Sequence, residues 1–553
     1  MPHSVFLGYN SIFGEEAFSN DDFLKKIPLK VAVSICSYIG SRLYMRQEKI
    51  EIQLEIFNFF IRRQPRDIRI YLRITVEKYL RGGDQIFLSL YLNVFLKYCL
   101  DNCDDFEYDD SDIGNDLLIL KAYVNRADNF NSSFSISSQA ENQHDYFRIN
   151  NWPIYLGQVH HNMELNPLTT LFKGILLLDF FKRSEEWRNM YMKYLDYYKV
   201  SSHTHLLQIL MKFIMEAVTN KDKFFIKTDE FGVNFFSNFE FLIDEYRERN
   251  DKDLYILANP LFRENDNSFY VLNYNYLANK LYHGVIFDFF NRSTYPNKKF
   301  SDFKSIIGGA FIEKHLFRRA VSTIFVQKFY NVYFDDLASK GFPDAVVIRK
   351  NKVFIFEVKD ALLASSSIQS KEYKKIKKEI DKFFVNGKGV TQIAKFLNNV
   401  KIGEVPFVGY HDLKLSKLEI IPIIIYTDSS FDLPGIGDYL NREFQALISK
   451  TLRFKKINEV LFIHIDFLIE HLDVLQAGSA SFEKSIGKIY SLMRKRKRQY
   501  EKYKSMKNLE AYHQLFDQYY YSVNKVDEKR KLYVKFVFEE LGIKNSYKET
   551  RKD

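Results

Sequence analysis

Apolar residues recur at three-to-four spacing in ILKAYV, TTLFKGILLLDFFKR and HLLQILMKFIMEAV, the signature of a helix with one buried face. These segments predict a mainly helical region from residue 1 to about 295. Within it, EIQLEIFNFFIRR and IFLSLYLNVFLKYCL fit helix and strand patterns alike. No fixed-period repeat organises the region. The polar stretch 129–146, NFNSSFSISSQAENQHDY, predicts a surface loop or a boundary between two helical subdomains.

A second boundary is expected at Asn291 to Lys299, NRSTYPNKK, and the pattern changes after it. Phe303 to Phe329 predicts one or two helices. Asp344 to Arg349 and Val353 to Val358 are short β-rich runs around the polar turn Lys350-Asn351-Lys352. Tyr373 to Asn399 predicts a helix with a basic face, and Glu419 to Tyr426 another strand. Helix, hairpin, helix and strand make an α/β unit. The expected domains are therefore 1–295, 296–435 and a basic helical 436–553.

Composition narrows the class. A chain of 553 residues exceeds a single core, and 46% hydrophobic with 27% charged residues describes a folded globular protein. The formal net charge of +10 permits a polyanion partner without establishing one. Three cysteines, Cys36, Cys99 and Cys103, are too few for a disulfide framework, and a reducing, cytoplasmic setting is the default. No apolar run reaches the roughly 18 residues of a membrane span, so no membrane partner is expected. The segment DNCDDFEYDDSD, residues 101–112, has seven acids and reads as a solvated loop.

Chemistry concentrates in GFPDAVVIRKNKVFIFEVKD, residues 341–360. Asp344 opens one strand, and Glu357 and Lys359 lie two apart near the end of the next. Strand periodicity puts Glu357 and Lys359 on one face and Phe356 and Val358 on the other. Hairpin pairing brings Asp344 beside Glu357. A divalent cation relieves the repulsion of two adjacent carboxylates, and oxygen ligands suit Mg²⁺.

This pattern resembles the PD-(D/E)xK nuclease superfamily, in Pro343-Asp344 followed, after twelve residues, by Glu357-Val358-Lys359. Gly308-Gly309-Ala310-Phe311-Ile312-Glu313 offers the acid that the family often carries on a preceding helix. Gln392-Ile393-Ala394-Lys395-Phe396 resembles the Q-x-x-x-Y of the RecB-like branch, with Phe for Tyr. The resemblance covers about residues 303–428. It implies a restriction-endonuclease-like α/β core, a mixed sheet flanked by helices, between large mainly helical arms. It further implies a Mg²⁺ or Mn²⁺ ion held by Asp344, Glu357, the Val358 carbonyl and Glu313. Lys359 would position the attacking water, and Gln392 would assist. The implied activity is endonucleolytic hydrolysis of DNA, extended by association to prokaryotic restriction or anti-phage defence. RNA cleavage, or a non-catalytic module binding nucleic acid or protein, is the alternative, and the arms suit oligomerisation or a regulatory partner.

Basic segments add a phosphate track. Lys371 to Lys395 holds eight lysines against three acids, and Arg494 to Arg498 reads RKRKR. No P-loop, H-E-x-x-H or G-x-S-x-G motif appears. His160-His161-Asn162 lacks the cysteine pairs of a zinc-supported nuclease site, and Gly308-Gly309 does not follow a strand as a dinucleotide fingerprint would.

Overall fold

Two units share the chain, and neither is one continuous stretch of it. Met1–Ser135 and His161–Pro296 form the first, and Ile136–His160 and Asn297–Asp553 the second. The computed structural model describes residues 7–541, except for 17–26, 107–112, 133–139, 141, 163–164, 220–224, 293–298, 336–340, 403, 405, 408–409, 411–413, 449–453 and 525–531. Much of the acidic 101–112 segment, the 129–146 segment and the 291–299 boundary lies outside the described residues.

The first unit is mainly helical. The ambiguous stretch 30–100 resolves into the helices Leu29–Leu43, Ile50–Ile61, Arg66–Arg81 and Ser89–Asn102. Each buries a stripe at helical spacing, such as Leu72, Val76 and Leu80. Sequence patterning does not reveal the small antiparallel sheet of β1 (Ile226–Lys227), β2 (Leu261–Asn265) and β3 (Ser268–Val271), ordered β1-β3-β2. The buried Gln53 uses its whole amide. It donates to the carbonyls of Gln47 (2.8 Å) and Phe87 (2.7 Å) and accepts from the N–H groups of Ile86 (3.1 Å) and Phe87 (2.9 Å). All three cysteines are buried free thiols.

The second unit is built on a mixed sheet of β4 (Asn331–Phe334), β5 (Ala345–Arg349), β6 (Lys352–Lys359), β7 (Glu419–Tyr426), β8 (Lys456–Ile457) and β9 (Leu461–His464). β4, β5 and β6 pair antiparallel, whereas β7 runs parallel to β6 and β9 parallel to β7. Both faces of the centre are covered, so β7 is apolar along most of its length and shows no alternation. Val346, Ile348, Val353, Ile355, Ile420 and Ile424 join the core of the helices Tyr373–Phe384 and Val390–Asn399. On the opposite face, Phe354 and Phe356 meet the rings of Phe325 and Phe482.

The observed units depart from the expected domains in two ways. Residues 136–160 belong with the second unit, because Trp152 and Leu156 lie in its core and the Trp152 indole N–H donates to the Pro434 carbonyl at 2.9 Å. The expected cut near 435 separates nothing. β8 and β9 complete the sheet, and Leu440, Phe444 and Phe462 fill the same core. The hairpin turn is held by a residue far downstream: Glu483 accepts from both flanking cations, Arg349 and Lys352.

The single helix expected over 373–399 is broken at Gly387-Lys388-Gly389. Gly389 has φ of +52°, and a Cβ there would stand 2.5 Å from the Phe384 carbonyl oxygen. A left-handed backbone and a closed approach both exclude a side chain. Gly389→Ala is expected to lose roughly 2 kcal/mol or more of stability, read as a lowered urea midpoint with an unchanged slope.

Candidate active site at the strand ends

β5 stops pairing with β6 at Ala345 opposite Phe356. The next pair in that register is Asp344 opposite Glu357, on the face that carries Val346 and Ile355. β4 ends with Phe334 opposite Ala345, so Asp335 is next in register to Asp344. Three acids thus come abreast where the pairing of β4, β5 and β6 ends. Asp344 replaces the missing ladder bond, since its Oδ2 accepts from the Val358 N–H at 2.6 Å. A residue's N–H and C=O leave a strand on the same side, so the Val358 carbonyl faces the same gap.

Lys359 closes the row. Its Nζ donates to Glu357 Oε1 at 2.6 Å, with the Glu357 side chain 3% exposed and Lys359 15%. Glu313 comes from a helical run that begins at Phe300–Ile306 and ends at Arg318–Ile324. Between them, Ile307–Phe317 is wound as a π-helix, a geometry that recurs at functional sites. Phe317 meets Phe356 at 5.9 Å between ring centroids, which sets this run against β6.

Burial raises the pKa of all three carboxyls. It pushes Glu357 up to about 8, with Asp344 adding to the effect and Lys359 opposing it. Burial, then Asp344, pushes Glu313 up to about 7, again against Lys359. Asp344 is raised by burial, opposed by Lys359 and the Val358 N–H. One ammonium therefore leaves several carboxyls electrostatically unsatisfied.

The structure brings Glu313, Asp344, Glu357 and Lys359 together. Gln392 has another job: its side-chain oxygen accepts from the Gly389 N–H at 3.1 Å and caps the helix Val390–Asn399. Among the described contacts, none joins Gln392 to the acids. Phe396, in the place of the expected Tyr, packs its ring on Phe342, two residues before Asp344, at 5.5 Å.

Sequence reasoning missed Asp335, Arg318 and Asp360. Asp335 pairs with Arg318. Asp360, directly after Lys359, accepts from Lys304 and, at 2.7 Å, from the Thr427 hydroxyl, joining the Glu313 run to the ends of β6 and β7. Gly308 admits that carboxylate, because a Cβ would meet it at 3.1 Å. Asp360 was visible as the residue following the motif, whereas Asp335 is revealed only by strand pairing.

A second polar cluster lies elsewhere in this unit. His144 Nδ1 and His513 Nε2 are 3.0 Å apart, and Asp438 is 3.7 Å from His144. The donor types suit a metal, but the charges do not. Asp438 also pairs with Arg148 (3.2 Å) and Arg442 (3.1 Å), and Arg148 with Asp145. Two guanidiniums already balance two carboxylates, so a divalent cation would add uncompensated buried charge. Burial holds His513 down to about 3, and the cluster acts as a neutral polar tie for the 136–160 segment. The side chains of His160, His161 and Asn162 lie outside the described residues.

No family model, curated protein or solved structure matches this chain.

The raised carboxyls fix the sign of a pH dependence. Without divalent cations, the folded chain retains protons at Glu357 that the unfolded chain releases above its ordinary carboxyl range. That contribution to stability is therefore lost as pH rises from about 4.5 towards 8. Glu357→Gln is expected to stabilise the protein by about 2 kcal/mol at pH 8 in chelator, with the gain fading towards pH 5, as measured by thermal melts across that range.

Proposed function

We propose that the second unit is a metal-dependent phosphodiesterase of the PD-(D/E)xK type that cuts nucleic acid, DNA first. The carrying observation is the alignment of Asp344 with Glu357 in strand register, with Lys359 on the same face and Glu313 within their electrostatic reach. The donor set fits Mg²⁺ or Mn²⁺: oxygen atoms from Asp344, Glu357, Glu313 and the Val358 carbonyl surround a gap whose carboxyls repel one another. When bound, the ion supplies charge neutralisation at the phosphate and acidifies water.

The chain's own residues do the rest. Lys359, an ammonium anchored by Glu357, orients water and offsets negative charge as the water oxygen bonds to phosphorus and the P–O bond to the leaving oxygen breaks. The water gives up a proton to solvent, and the leaving oxygen takes one. Asp360 holds the Glu313 run against the strand that carries Lys359.

Exposed cations support a nucleic-acid substrate. Lys375, Lys377 and Lys382 are tied to acids on their own helix, leaving Lys374 and Lys378 exposed on it without such partners. In the RKRKR run, Arg496 bonds Gln514 and the Ala511 carbonyl, and Lys497 pairs with Glu459, while Arg494, Lys495 and Arg498 are exposed. A restriction or anti-phage role extends this reading by association alone. Among the described residues, no helix is long and apolar enough to cross a membrane.

Lys359→Ala is expected to lower Mg²⁺-dependent cleavage of a DNA duplex by about 100-fold or more while gel-shift affinity changes little. Equal cleavage by mutant and wild type, at equal thermal stability, would remove this reading. Lys374→Gln combined with Lys378→Gln should lower affinity and flatten the salt dependence by roughly one unit per phosphate contact. Lys375→Gln, whose charge is held by Glu372 at 2.7 Å, should leave the slope nearer wild type.

A further inference from the structure

We propose that Arg318 supplies the second positive charge of the carboxylate row, so that the site takes one divalent cation and grips the phosphodiester with a guanidinium. The inference rests on the phosphodiesterase reading of the same site and adds to it the number of cations and the residue that replaces another.

Three placements carry it. Asp335 stands next in register to Asp344, and Arg318 is ion-paired to Asp335. Its guanidinium also lies over the Phe334 ring, 5.0 Å from the centroid, so it is fixed beside the end of β4. The π-helical winding explains how it reaches the row. Five residues separate Glu313 from Arg318, which in an α-helix would put them about 140° apart. The wider i→i+5 turns of Ile307–Phe317, which end directly before Arg318, reduce that separation.

Charge then sets the number of cations. Asp335, Asp344, Glu357 and Glu313 are four acids, and Lys359 and Arg318 are two bases. Asp360 is excluded from this sum because Lys304 holds it. With all four carboxyls ionised, as a bound cation would leave them, two net negative charges remain, which one divalent ion neutralises. A second ion would have to displace Arg318 from Asp335. A guanidinium is also the better ligand for the substrate, since its planar fork matches two phosphate oxygens. Arg318 is 18% exposed and Asp335 37%, so Asp335 stays hydrated when Arg318 exchanges it for a phosphate oxygen.

Calorimetric titration of the full chain with Mn²⁺ reads the cation number without turnover. One Mn²⁺ per wild-type chain is expected. Arg318→Met should raise the number towards two, because Asp335 is then unpaired. Arg318→Met with Asp335→Asn should return it to one while cleavage stays low. In turnover of a short DNA duplex with Mg²⁺, Arg318→Met should lower kcat by about 100-fold with KM changed much less, and Arg318→Lys should recover part of the loss. Arg318→Lys also covers the case in which Arg318→Met fails to fold, because it keeps the pairing charge and should hold the number at one with kcat still reduced. Two Mn²⁺ of similar affinity in wild type, or unchanged kcat in Arg318→Lys and a folded Arg318→Met, would overturn the inference. Full Mn²⁺ binding by Glu357→Gln would instead overturn the phosphodiesterase reading beneath it, because no cation would then sit at the row.

Discussion

The site depends on one early stop. β5 ceases to pair with β6 after Ala345, so the next two residues in register are acids instead of ladder partners. An unpaired strand end would strand the Val358 N–H, and Asp344 takes that bond through its side chain. The same carboxylate therefore completes the sheet and opens the site. Its second oxygen, Glu357 and the Val358 carbonyl are left facing a gap that hydrogen bonding alone does not satisfy.

Everything around this stop serves to hold charge where water is scarce. Apolar layers cover the sheet, and β6 and β7 stay paired in parallel up to Lys359 and Tyr426. The layers also remove the solvent that would screen Glu357 from Asp344, which is why burial leads the causes of its raised pKa. Asp360, Lys304 and Thr427 then fasten the helical run whose widened turns carry Glu313 and Arg318. Sheet and helix each contribute both signs of charge: Glu357 with Lys359 from the sheet, Glu313 with Arg318 from the helical run.

Local pattern made much of this legible. Period-two reasoning put Glu357 and Lys359 on one face, and hairpin pairing put Asp344 opposite Glu357, because these relations span few residues. Relations between distant segments were not legible. Asp335 joins through a strand whose partner must be known, and Arg318 through a helical winding that apolar spacing does not encode. The capping bond of Gln392 was not legible either, because it depends on the turn at Gly389. The place of Trp152 was invisible, since a tryptophan in a helix says nothing about which core receives it.

The return of the chain to its second unit has a consequence for how that unit is made. The segment with Trp152 and Leu156 emerges before about 135 residues of the first unit and must wait for the sheet that will cover it. During synthesis the partners of Trp152 and Leu156 do not yet exist. Folding of the second unit is thus a closure over long sequence separation, slow by topology and open to mispairing until the strands arrive. The row of acids accordingly gains its covered sheet only once the strands up to Leu461–His464 have emerged, which withholds charge clustering from any product released before them.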